Sequence, residues 1–195
     1  MNKLQEYFKK KKNIYRFFFI LIFIIFSYLF FQFTVDDAYI SFRYGRNFFN
    51  LGIWNWNPDK DFIECYTSTI YTILSLISIF FKIEPHIFVK FLGLLIGILI
   101  FKRIISLNLD YLKEISILII FFLNPFFYVH LFSGLETPLF IYLILESLIY
   151  IEKKHFSTKI FYLILFLLPL TRPEGAVISI FFLAYSYKQD KYFKD

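Results

Sequence analysis

The chain has 195 residues, 58% of them hydrophobic and 24% aromatic, and a formal net charge of +6. A water-soluble domain is about 45–50% apolar; here the excess lies in long runs, which argues against an ordinary soluble domain and for an all-α, polytopic membrane bundle. Lys3, Lys9, Lys10, Lys11, Lys12 and Arg16 face only Glu6 in the first sixteen positions, so the charge is a tail beside a membrane and no nucleic-acid partner is expected.

Residues 1–16 therefore read as a basic cytoplasmic tail and Phe17–Thr34 as the first span. That run is too long for the apolar core of a signal peptide. It leads into Val35-Asp36-Asp37 rather than a small-residue cleavage pattern, so an uncleaved span is expected. Residues 35–84 form a long external loop, residues 85–187 the remaining spans and residues 188–195 a second cytoplasmic tail, giving one membrane domain of about six spans. The span candidates after the loop are Pro85–Phe101, Ile115–Phe132, Pro138–Ile151, Ile160–Leu170 and Ala176–Tyr187.

One further apolar run, Thr69–Phe81, is assigned by parity. If it spanned, Lys102, Arg103, Lys113, Lys153 and Lys154 would fall outside; if it lies along the surface, all of them are cytoplasmic. Thr69, Thr72, Ser75 and Ser78 recur every three residues, as expected of an in-plane helix with a weakly polar stripe. The multi-pass chain is thus expected in the plasma (inner) membrane with its N-terminus in the cytoplasm. Three polar motifs then share the external face: Asp36–Asn47, Ser133–Pro138 and Leu170–Gly175.

Within the loop, Asp36, Arg43, Asn47 and Asn50 are spaced to share one helix face, Gly52 is placed to close that helix, and "NWNPDKD" reads as turns. Asp36 and Asp37 have two readings. Asp is favoured at a helix N-terminus by capping and by the macrodipole. Adjacent helical side chains also diverge by about 100°, so one can cap while the other faces a cavity. Arg43 and Arg46 either snorkel at the interface or bind phosphate bidentately. Glu136 is a first-turn carboxylate or a site residue, and His130 has no second His or Cys at ligand spacing, so a resident metal is not favoured.

Leu170–Gly175 is the most informative motif. Its flanking apolar runs are eleven and twelve residues long, which reach about 17–18 Å against a hydrocarbon core of about 30 Å. Arg172 and Glu174 are either a salt bridge in a turn or ionisable groups lining a water-filled cavity. Glu146, inside Pro138–Ile151, has no partner that the sequence identifies. Cys65 is the single cysteine and offers neither a disulfide nor a CxxC site.

In order, "DDAYISFRYGRNF", "NPDKDFIECYTSTIY", "SGLETPLF" and "LTRPEG" resemble the N-terminal portion of GT-C-type membrane glycosyltransferases, in particular the branch with mycobacterial terminal arabinofuranosyltransferases and related bacterial transferases. The likeness runs from about residue 15 to about residue 187. It implies a polyprenyl-phosphate sugar as donor, a glycan or lipid acceptor in the cell envelope, and a general-base Asp, here Asp36 or Asp37. Arg172 and Arg43 would meet the lipid phosphate, with Glu136 and Glu174 orienting them or binding sugar hydroxyls. Cys65 stands where relatives tend to have glycine, and such relatives continue through further spans. The alternatives are a non-catalytic remnant, a split half completed by a second polypeptide, and a small lipid-handling or transport protein.

Overall fold

The computed structural model describes residues 2–156 and 158–192, and side chains within 11–156 and 158–189. The side chains of the expected basic tail up to position 10, and the last residues of the expected C-terminal tail, lie outside those.

Among the described residues the chain is all helical. The order is α1 Asn2–Phe30, α2 Ala38–Leu51, α3 Thr69–Phe80, α4 Pro85–Ser106, α5 Tyr111–Phe122, α6 Pro125–Phe132, α7 Thr137–Glu152, α8 Lys159–Thr171 and α9 Gly175–Tyr192. Helix α1 begins at Asn2, so the expected tail is helical and continuous with the first apolar run. Lys11–Phe30 is long and apolar enough to cross a membrane, and α5 with α6 is a second such stretch if the bent pair is one broken span. Helix α4 has the length, 22 residues, but carries Lys90, Lys102 and Arg103.

Proline sets several boundaries. A residue before proline is driven out of the α region, and Glu84 (ψ 128°) and Asn124 (ψ 113°) precede Pro85 and Pro125 in that state. The expected third span is thereby split into α5 and α6, bent by 55°. The break is repaired locally: the Asn124 side chain accepts from Phe126 N at 3.0 Å, and Tyr128 Oη donates to Phe122 O at 2.9 Å. Gly52, at φ 71°, closes α2 as the sequence suggested.

Two apolar cores form. Tyr15, Phe19 and Ile22 of α1 pack with Ile96, Ile100 and Ile104 of α4, Leu118 and Phe122 of α5, and Tyr128 and Phe132 of α6. Leu143 of α7, Phe161, Leu165 and Leu168 of α8 and Phe182 of α9 form the other. A smaller cluster of Ala38, Phe42, Tyr71 and Val89 fixes α2 and α3 on the first turns of α4.

Helix α3 corrects one expectation. Its polar stripe does not face solvent: Thr72, Ser75 and Ser78 are fully buried, while Ile73, Ile77 and Phe80 are exposed. The small side chains admit α2 at close range. Ser75 Oγ donates to Ser41 O at 3.0 Å, and a Cβ on Gly45 would lie 2.9 Å from Leu76 N. The hydroxyls of Thr72, Ser75 and Ser78 each bond a backbone carbonyl, so their burial leaves no donor stranded.

Candidate active site at one end of the bundle

Asp36 and Asp37 sit in the turn entering α2, and both are exposed. Asp37 occupies the N-cap position without a side-chain capping bond. Asp36 lines a cavity of about 540 Å³ with Gln32, Thr34, Tyr39, His86 and Lys90. The roughly 100° between neighbouring side chains therefore separates the pair: the cavity takes Asp36.

The Asp36 turn is tied to the second motif. Val35 N donates to Ser133 O at 2.9 Å. Gly134, at φ 84°, packs so closely that a Cβ would lie 2.8 Å from the Ala38 methyl. Glu136, two residues further on, is 6% exposed and forms an ion pair with Arg172, whose Nε lies 3.2 Å away. Thus the third motif joins as well. Arg172 reaches Glu136 because Pro173 forces it into extended backbone (φ −147°, ψ 142°) at the end of α8. Its guanidinium also lies 3.9 Å from Glu174 and over the Phe140 ring at 5.9 Å. Tyr71 of α3 is buried beside this pair; burial, and then the Glu136 charge, push its phenol well above the usual range.

Arg43 behaves differently. It donates to Asn57 Oδ1 at 2.9 Å and lies 4.5 Å over the Trp56 ring, so it holds the loop after α2 and does not line the Asp36 cavity. Arg46 pairs with Glu84 at 2.6 Å on the exposed surface, a contact worth under about 1 kcal/mol. Asn47, on the same face as Arg43, donates to Asn55 O and Trp56 O. The polar face of α2 is therefore occupied by its own loop.

The sequence reading passed over Lys90 and His86. Lys90 is 4% exposed and has no ion pair among the described residues; its ammonium lies 5.5 Å over the Phe31 ring. A lysine inside the apolar run of α4 is a signal in its own right, because an ammonium there needs a partner or a cavity. Counting Pro85–Phe101 only as a span hid it. His130 is exposed and away from the cavity lining. Among the described residues no three His, Cys, Asp or Glu side chains group as a metal site.

No protein-family model, curated protein or solved structure matches this chain. What bears on chemistry is the cavity. It joins an exposed carboxylate, an imidazole and a buried ammonium lacking a carboxylate partner, next to a carboxylate–guanidinium network on the neighbouring turn. Such a set can accept a proton and hold an anion at once.

Proposed function

We infer that the chain is a membrane-embedded glycosyltransferase of GT-C type, or its N-terminal half, moving a sugar from a polyprenyl phosphate to an acceptor hydroxyl outside the cytoplasm. The observation that carries this reading is Asp36 and the uncompensated Lys90 on one cavity, tied through Val35 and Ser133 to the Glu136–Arg172 pair. Asp36, Glu136 and Glu174, with the arginine of the third motif, are the groups this reading draws on.

The membrane part rests on an inside-out distribution. Phe17, Phe18, Ile24, Phe91, Ile120, Phe126, Phe166, Val177, Ile180 and Phe181 are all more than half exposed. Glu114, Glu136, Glu146 and Lys90 are buried. In water so much exposed apolar surface would drive association; in a bilayer it is the solvent-facing surface. Helix α4, at about 1.5 Å per residue, is about as long as the hydrocarbon core is thick.

In the proposed step the acceptor oxygen attacks the anomeric carbon and gives its proton to the Asp36 carboxylate. The bond from that carbon to the phosphate oxygen breaks, and the lipid phosphate leaves with the electron pair. Lys90 stabilises the charge gathering there, and the product has inverted configuration. Glu136 and Glu174 hold Arg172 toward the same end; Arg43 gives way to Lys90 as the second cation.

The test uses the full chain in liposomes with a radiolabelled polyprenyl-phosphate sugar and a membrane-glycan acceptor mixture. Asp36→Asn is expected to lower the transfer rate by about 10²–10⁴-fold, and Asp37→Asn to leave it near the starting value. Equal rates for both variants would remove Asp36 as the base. If the unaltered chain transfers nothing, alone or with an adjacent polypeptide, the remnant reading stands instead.

A further inference from the structure

A second charged cavity lies at the other end of the bundle, between the last turns of α4 and α7 and the start of α8. It measures about 520 Å³, and its polar lining is Lys102, Arg103, Ser106, Tyr142, Glu146 and Tyr150. Arg103 Nη2 holds the Glu146 carboxylate at 2.5 Å, supplying the partner that the sequence left open. Arg103 Nε is buried without a hydrogen-bond acceptor. Lys102 is exposed and makes no ion pair among the described residues. With one carboxylate against two cations the lining is net positive, and Lys153 and Lys159 stand at the ends of the α7–α8 connection.

Lys102 also lines a second, apolar cavity of about 380 Å³ with Ile20 and Phe23 of α1 and Ile98, Phe101 and Ile105 of α4. The spacing explains the shared residue. Ile98, Phe101 and Ile105 mark one face of α4, Leu99, Arg103 and Ser106 the next, and Lys102 sits on the seam. A charged recess opening beside an apolar groove matches a molecule with an anionic head and a hydrocarbon chain. A free phosphate would use only the recess.

We propose that this end of the bundle binds an anionic phospholipid of the cytoplasmic leaflet, its phosphate on Lys102 and Arg103 and an acyl chain in the α1–α4 groove. Basic recesses between helices on that side are suited to such head groups. The Arg103–Glu146 pair fixes the guanidinium for the contact, and Lys102 supplies the mobile charge. The proposal rests on the membrane reading above but not on the transfer reaction.

The experiment places the full chain in phosphatidylcholine nanodiscs and follows uptake of phosphatidylglycerol, against phosphatidylcholine of the same chains, by native mass spectrometry. Phosphatidylglycerol is expected to be retained about tenfold better. Lys102→Gln is expected to cut that retention about fivefold, and the paired change Arg103→Gln with Glu146→Gln, which leaves no lone buried charge, to reduce it further. Lys113→Gln, an exposed change outside both cavity linings, should leave it unaltered. Equal uptake of the two lipids, or retention indifferent to Lys102→Gln, overturns the proposal. Displacement by millimolar inorganic phosphate or glycerol phosphate assigns the recess to a soluble anion and overturns the lipid. A chain that does not remain in the discs overturns the membrane reading and this one together.

Discussion

Glu114 is fully buried at the first turn of α5 and is held by two cations of α1. Arg16 binds it with Nε at 2.6 Å and Nη2 at 2.9 Å, and Lys12 lies 3.5 Å away while donating to Leu109 O at 2.8 Å. Removing one partner of such a pair strands the other, which costs about 3–5 kcal/mol. Glu114→Gln is therefore expected to lower the thermal unfolding midpoint of the detergent-solubilised chain, read by intrinsic fluorescence, far more than Asp110→Asn. Asp110 is exposed and meets Lys113 at 3.6 Å. If the proposed transfer reading holds, Lys90→Met weakens polyprenyl-phosphate binding by about tenfold or more, measured by competition with a labelled lipid phosphate, with the unfolding midpoint little changed. Much at this scale was legible: the Asp pair, Glu136 and Arg172 stand out from their apolar neighbours in the sequence. What was not legible were the partnerships. Nothing in local spacing pairs Glu146 with Arg103 or turns Arg43 toward Asn57, because both contacts depend on how elements meet.

At the level of elements, the loop after α2 is organised by Asn55. Its side chain accepts from Trp56 N at 2.8 Å and Ile63 N at 3.1 Å, and donates to Asn57 O, Lys60 O and Asp61 O within 3.1 Å. Tyr44 Oη spans the same loop, donating to Ile63 O and accepting from Cys65 N at 3.0 Å, and burial raises its phenol pKa. Asn55→Ala removes all five side-chain bonds and is expected to expose residues 56–64 to limited proteolysis and to speed maleimide labelling of the exposed Cys65. Gly45→Ala is expected to push α2 off α3 at a cost of about 1–3 kcal/mol, since the new methyl would meet Leu76 N at 2.9 Å; a fall in the unfolding midpoint would register it. The turn signals and the Gly52 cap were readable because they act within a few residues. The direction of the α3 stripe was not. A row of Thr and Ser suits water and a close helix partner equally well, and only the position of α2 decides.

For the whole molecule the test is sidedness. If the lysine-rich end faces the cytoplasm, a membrane-impermeant maleimide added to intact cells should label Cys65, and labelling only after cell breakage would invert the topology. The helical class followed from composition and periodicity alone. The contacts within the candidate site had to wait for three dimensions, since its parts are far apart in the chain. That separation bears on biogenesis. Val35 and Ser133 belong to opposite halves of the sequence, yet their backbones are bonded at 2.9 Å. At ordinary translation rates the acceptor carbonyl emerges roughly 5–20 s after the amide that needs it. During that interval the turn bearing Asp36 lacks its native seat, which is supplied only once the end of α6 has emerged.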